Sequence, residues 1–247
     1  MLQGKTAVIT GCLQGIGRNT MELFAARGAD IFACAYKPSD DFESLTKELS
    51  ARHGVRVIPV YCDLADTGEV RAAAQEIQKA KLPVHILVNI AGITRDALFH
   101  MVTMDQLLET FQINFFSQIM FSQYITRLML RSGGGSVIFT SSITAFDGNE
   151  GQLAYGASKA ALIGAMKTMS RELGPKGIRV NAVAPGVIDT PLTNAVPPDV
   201  TALKIARTGL KRLGTAEEVA SVILFLASDQ SAHVTGQTFR IDGGIAS

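Results

Sequence analysis

The chain reads as an α/β protein: one doubly wound domain over residues 1–247, a seven-stranded parallel sheet with helices on both faces. Three observations predict this. Short apolar, β-branched runs alternate with segments of helical period along the whole chain, the pattern of strands joined by crossover helices. The first run, Thr6-Ala7-Val8-Ile9-Thr10, passes straight into glycines, as a buried parallel strand entering a tight turn does. The 247 residues show no repeat and no internal break, and that length suits one large α/β domain.

Each element can be justified in turn. Behind the first strand, Ile16, Thr20, Leu23 and Phe24 fall at helical spacing, and Gly28 supplies a stop. A second strand runs from Ile31 to Tyr36. An amphipathic helix follows from about Asp40 to Arg52, with Phe42, Leu45 and Leu49 on one face and Gly54 beyond its end. The third strand, Val55 to Cys62, contains Pro59, which has no N–H to give a ladder, so it belongs at a sheet edge. A helix from Thr67 to Lys81 leads to strand four, Ile86 to Asn89. Thr103-Met104-Asp105-Gln106 has capping-box spacing and opens a long helical region to Arg131. Gly133-Gly134-Gly135 ends it, before strand five at Ser136 to Thr140. The helix bearing Tyr155 extends to about Leu173, and strand six is Ile178 to Val183. A second capping box, Thr215 to Glu218, starts a helix through Phe225, and strand seven is Gln237 to Ile241. Only Gly186 to Gly209, rich in proline, lacks clear periodicity; it reads as a mobile functional loop or a surface insertion.

Bulk properties exclude several partners. Charged residues make up 18% and the net charge is +1, with no Lys/Arg run, so no electrostatic footprint for nucleic acid exists. No apolar run reaches the roughly 18 residues of a membrane span, and no membrane partner is expected. The N-terminus enters a strand without a signal core. The longest uncharged stretch, Phe111 to Thr126, carries three Gln, an Asn and two Ser, and reads as a packed interface helix. Cys12, Cys34 and Cys62 are odd in number and far apart. They suggest neither a disulfide framework nor a metal site, but small buried hydrophobes in a reducing, cytoplasmic setting.

Two stretches carry chemistry. On a helix, Tyr155 and Lys159 share one face, so an ammonium can sit near a phenol and pull its pKa of about 10 towards neutrality. Such a phenol serves as general acid or base. The same spacing also occurs on ordinary solvated helices. Gly11-Cys12-Leu13-Gln14-Gly15-Ile16-Gly17 lies between a strand and a helix, where glycines let the backbone approach a pyrophosphate at the helix N-terminus. A plain tight turn is the alternative.

Thr10-Gly11-x-x-x-Gly15-Ile16-Gly17, Asn89-Ile90-Ala91-Gly92, Asn114, Ser142, Tyr155-x-x-x-Lys159 and Pro185-Gly186 stand in the order and spacing of the short-chain dehydrogenase/reductase family. The chain resembles that family along essentially its whole length, to Asp242-Gly243-Gly244. Ile93-Thr94-Arg95-Asp96 is similar to the 3-oxoacyl-[acyl-carrier-protein] reductases and acetoacetyl-CoA reductases within it. The resemblance implies a Rossmann-type fold and a catalytic tetrad of Asn114, Ser142, Tyr155 and Lys159. Tyr155 would protonate the substrate oxygen, and Lys159 would lower the Tyr155 pKa and bind the nicotinamide ribose. Ser142, chosen over Ser141 for its distance from Tyr155, would hold the carbonyl, and Asn114 would place a proton-relay water. Substrate contacts would come from Ser142, Gln152 and Tyr155.

The resemblance also assigns cofactor contacts. They are Gly11, Gln14, Gly15, Ile16 and Gly17 in the turn, Asp63 for adenine, Asn89 and Gly92 after strand four, and Pro185, Gly186, Ile188 and Thr190 after strand six, with Tyr155 and Lys159. Asn89 reads equally as a brace between strands. Ala35, Tyr36 and Lys37 stand where NAD-preferring members carry an acid. Its absence, with Lys37 free to meet a 2′-phosphate, favours NADP(H) over NAD(H), although Gln14 replaces the usual basic residue. Lys176 matches a basic carrier-protein contact near the site mouth, and Leu192, Ala195 and Val196 suggest an apolar pocket wall. The family further implies a homotetramer. A sugar, polyol or steroid-like alcohol is the alternative substrate to a 3-oxoacyl thioester. A nucleotide-sensing protein without catalysis is the alternative from another class.

Overall fold

The computed structural model describes residues 1–194 and 197–245; Ala195 and Val196, expected in the pocket wall, lie outside the described residues. Seven parallel strands form one sheet in the order β3-β2-β1-β4-β5-β6-β7. They are β1 Thr6–Thr10, β2 Asp30–Ala35, β3 Val57–Tyr61, β4 Ile86–Asn89, β5 Gly135–Thr140, β6 Ile178–Pro185 and β7 Thr238–Ile241. Pro59 sits in β3 at the sheet edge, as its missing N–H requires.

Strand residues alternate between two apolar layers, because successive side chains point to opposite faces. Ala7, Ile9, Ile31 and Val88 face one layer, with Phe24 of helix α1 (Gly15–Ala26) and Ile223 of α10 (Ala216–Ala227). Val8, Phe32, Leu87 and Phe139 face the other, with Ile77 of α3 (Thr67–Lys79), Ile125 of α5 (Ser117–Arg131) and Leu162 of α7 (Leu153–Leu173). Phe24, Phe32, Phe121 and Phe139 are fully buried; burying such a ring contributes about 1.5–3 kcal/mol. Helix α2 (Asp40–His53) ends on Gly54 in the left-handed conformation.

Two expectations change. The long helical region opens with the expected capping box at Thr103, but it is three pieces: α4 (Met104–Phe111), a π-helical turn at Gln112–Phe116, and α5. The extra residue of a π turn rotates one side chain out of the 3.6-residue pattern, and here that segment carries Asn114. The region after Gly186 holds two short helices, α8 (Pro191–Asn194) and α9 (Pro198–Arg207). Each starts on a proline, which is pre-set for the first helical position. Between α5 and α7 lies one further short helix, α6 (Thr144–Asp147).

Candidate active site

The chain leaves β1 for the β2 side and returns through β4 on the other side. Crossovers diverge there, which opens a crevice at the carboxyl ends of the strands. A cavity of about 690 Å³ lies at this point. One wall is the β1–α1 turn, and another is the segment after β4. The rest comes from the ends of β5 and β6 and from Tyr155 and Lys159 of α7.

The turn is shaped by its glycines. Gly11 has φ 79°, and a Cβ there would stand 3.0 Å from the Ala91 backbone nitrogen. A Cβ on Gly17 would overlap the Gly11 carbonyl oxygen, so nothing larger lets α1 begin so close to the turn. Gln14 caps α1 without a side-chain hydrogen bond, and the first turn has no acid. The first N–H groups therefore face the cavity unsatisfied, a site for an anion. Thr10 Oγ1 accepts from Ile90 N (2.9 Å) and Ala91 N (3.2 Å), tying the second wall to the first.

Lys159 is buried, and its Nζ donates to Thr140 O at 2.8 Å. Burial draws its ammonium down to about 8. Nζ lies 5.7 Å from the centre of the Tyr155 ring. The expected lowering of the phenol is not found. Burial pushes Tyr155 up, the Ser142 hydroxyl draws it back, and the Asp96 carboxylate pushes it up again. Desolvation is the largest influence on each group. Ser142 and Ser141 take different partners. Ser141 Oγ donates to Lys159 O (2.9 Å), while Ser142 Oγ donates to Thr144 Oγ1 and accepts from Thr144 N, both at 3.2 Å.

Asn114 lies behind the cavity rather than in its wall. Its Nδ2 donates to Ile93 O (2.9 Å) and Ser158 Oγ (3.1 Å), and its Oδ1 accepts from Ile93 N (2.8 Å). A Cβ added to Gly92 would stand 3.1 Å from Asn114 Oδ1 and 3.2 Å from Lys159 Nζ. The bare glycine leaves a point within hydrogen-bond reach of both groups.

Among the expected cofactor residues, Gly11, Gln14, Gly15, Ile16, Gly17, Asp63, Gly92, Pro185, Gly186, Ile188 and Thr190 line the cavity. Asp63 Oδ1 accepts from Ala65 N at 2.8 Å. Three expected contacts lie off this wall. Asn89 is absent from the wall: the two-residue period of β4 turns it with Leu87 towards α5, where its Nδ2 donates to Ser122 Oγ at 3.0 Å. Lys37 is exposed, one residue beyond Tyr36, which does line the cavity. Gln152 lies outside this cavity and lines a second concavity with Leu98 and Phe99. Lys176 precedes β6, whose far end supplies Pro185. Eight strand residues, roughly 25 Å, separate it from this chain's own cavity, so it is not at that mouth.

Residues not anticipated also form the wall, among them Thr140, Ala91, Arg95 and Glu109. Thr140 Oγ1 is buried with no partner among the described residues. The cradle of glycines, the uncapped helix and this orphaned hydroxyl together suit a polar dinucleotide. The cysteines are buried, and Cys62 is pushed up to about 12, chiefly by burial. A thiol so protonated is no nucleophile. No group of metal-ligating side chains occurs among the described residues, and no described helix is long and apolar enough to cross a membrane.

Comparison with known proteins agrees with this geometry. A family model described as "Enoyl-(Acyl carrier protein) reductase" matches residues 11–246. The 3-oxoacyl-[acyl-carrier-protein] reductase FabG of Thermotoga maritima is 39% identical over 99% of this chain and 98% of its own length. The proteins of that name from Salmonella typhimurium and Aquifex aeolicus are 36% and 34% identical, over 98% and 99% of this chain and 98% of theirs. A crystal structure from Beutenbergia cavernae superposes with a TM-score of 0.92 at 33% identity, covering 98% of this chain and 97% of that one. That protein is assigned as an NAD(P)-dependent gluconate 5-dehydrogenase and holds NADP at low occupancy.

Proposed function

This chain belongs to the short-chain dehydrogenase/reductase family, and on that premise we propose that its reaction is the NADPH-dependent reduction of a 3-oxoacyl thioester. The relatives make it an NAD(P)-dependent oxidoreductase acting on CH–OH groups. One observation carries the reading of its site: a single cavity has the glycine turn at one end and Ser142, Tyr155 and Lys159 at the other. Gly11, Gln14 to Gly17, Asp63, Gly92, Pro185, Gly186, Ile188 and Thr190 would hold the cofactor, and Lys159 its ribose. NADPH, when bound, supplies the hydride.

The protein's own part is to handle the carbonyl oxygen and one proton. Ser142 Oγ, oriented by Thr144, donates to that oxygen. Tyr155 gives up its phenolic proton to the oxygen as negative charge develops there. Lys159 stabilises the resulting phenolate. A water at the bare Gly92 position would hydrogen-bond Asn114 Oδ1 and Lys159 Nζ, giving a route for the proton to be replaced. Burial leaves Tyr155 protonated in the free enzyme, the state from which it donates to the carbonyl oxygen.

The acyl thioester is favoured by the names of the curated relatives. NADPH is favoured by the lack of an acid at Ala35 and Tyr36, where β2 meets the cavity. Assembly as a homotetramer, in the cytoplasm, belongs to the same reading. Exposed Met104, Leu108 and Phe116 provide apolar surface for it. The gluconate assignment of the structural neighbour keeps a sugar acid as the second substrate class. The test is kcat/KM for acetoacetyl thioesters, sugar acids and cyclic ketones, each with both nicotinamide cofactors. The thioester with NADPH should exceed every other pair at least about tenfold. A sugar acid at the top would replace the substrate assignment.

A further inference from the structure

The segment after β4 spans the gap between two helices. The Ile93 backbone exchanges two hydrogen bonds with the Asn114 side chain. Arg95 pairs with Glu109 of α4 through Nε (2.8 Å) and Nη2 (2.7 Å). Asp96 accepts from Gln152 Nε2 at 3.1 Å through Oδ2, and Thr94 Oγ1 donates to its Oδ1. Ala97 N donates to Gly151 O at 2.8 Å. Gln152 is the residue before α7, three positions from Tyr155, and its O accepts from Gly156 N at 2.8 Å.

Gln152 therefore belongs to the support of the catalytic helix. Its Oε1 accepts from Asn149 Nδ2 (3.0 Å) and Thr144 Oγ1 (3.4 Å), so Asp96, the α6–α7 connection and the Ser142 partner Thr144 form one polar cluster. The charged groups around the phenol come from few elements. Lys159 stands on α7 itself, and Asp96 on the segment after β4. The end of β5 presents only the Ser142 hydroxyl. Arg95, Glu109 and Asp63 are the other charged side chains on the cavity wall, the first two as a mutual pair.

We propose that Asp96 is a positioning residue of the reaction, fixing the start of α7 through Gln152 and setting the field in which Tyr155 exchanges its proton. This rests on the reading of Tyr155 as the acid. A carboxylate beside a phenol disfavours the phenolate, so Asp96 shifts to higher pH the range over which Tyr155 keeps its proton.

The experiment is the pH profile of kcat/KM in both directions for wild type, Asp96→Asn and Asp96→Ala. Asparagine keeps an acceptor for Gln152 and removes only the charge. In Asp96→Asn, the rise of alcohol oxidation and the fall of carbonyl reduction should both move to lower pH. Because Asp96 is exposed, about 1 M salt should shrink that displacement. Asp96→Ala should show the same displacement and lose about tenfold in kcat as the first turn of α7 loosens. Profiles of Asp96→Asn that coincide with wild type would overturn the proposal, as would a displacement that salt leaves unchanged. If wild type turns over no carbonyl or alcohol, the functional reading fails separately. Ultraviolet titration of tyrosinate, with Tyr155→Phe subtracted, then decides the electrostatic claim: ionisation of Tyr155 at lower pH in Asp96→Asn supports it, and unchanged ionisation overturns it.

Discussion

The two ends of the parallel sheet are built from the same materials to opposite purposes. At the amino end, every feature closes. Gly134 and Gly135 pack so tightly against Gly177 and His85 that a Cβ on either would overlap a carbonyl oxygen. His85 Nδ1 accepts from Thr6 N at 3.1 Å. The half-buried Arg179 donates to Leu226 O (2.9 Å), Ser228 O (3.1 Å) and Val234 O (3.4 Å). At the carboxyl end, Gly11 and Gly17 also pack backbone against backbone, but the turn they form borders a cavity. Among the described residues, the buried cation there, Lys159, has one hydrogen-bond partner, and Thr140 Oγ1 has none. Buried polar groups are normally satisfied. Where they are left short, a bound group is expected to complete them.

The comparison can be broken by substitution, and the largest effect belongs to the glycine turn. Gly17→Ala forces the α1 start away from Gly11 and should cost about 100-fold in kcat/KM for NADPH. Unchanged cofactor kinetics would mean that the turn is only a turn. The two buried cations should then respond with opposite signs. Arg179→Met loses charge-assisted bonds and should destabilise by about 1.5–3 kcal/mol in denaturant titration, leaving kcat intact. Lys159→Met removes an ammonium whose pKa falls from about 10.5 unfolded to about 8 folded. The unfolded chain holds the extra proton between these values, so wild-type stability rises with pH through that window. Below pH 8 the methionine variant should therefore be more stable by about 3 kcal/mol, an advantage that fades between about pH 8 and 10.5. Its reductase activity should be lost. A destabilised Lys159→Met would show that the lysine is structural. The smallest effect is at the amino end: Lys176→Ala should leave kcat/KM for small thioesters within about twofold, given its roughly 25 Å separation from the cavity.

How much of this was legible depends on what each residue obeys. Pro59 marked the sheet edge because a missing N–H is a local fact. Ile86–Asn89 and the end of the Tyr155 helix at Leu173 were read at their observed bounds, since apolar period and a following Gly174 define them. The π turn was hidden, because one inserted residue leaves the helical pattern on both sides intact. Asn89, Lys37 and Gln152 are expected at the site, and each stands beside the cavity rather than in its wall. Side-chain direction at a strand end turns over with a single residue, as for Asn89 and for Lys37 beside Tyr36. Gln152 sits at the cap, outside helical geometry, so counting three residues back from Tyr155 does not put it on the same face. Arg95 and Asp96 were visible as a motif, yet their partners Glu109 and Gln152 are 14 and 56 residues away, a pairing that only the fold makes.

The most direct measurement is the turnover of Tyr155→Phe, which keeps the ring and deletes one hydroxyl. With NADPH and an acetoacetyl thioester, kcat should fall about 10²–10⁴-fold while NADPH still binds and the thermal midpoint holds. Turnover within a few-fold of wild type would contradict the assignment of Tyr155 as the proton donor.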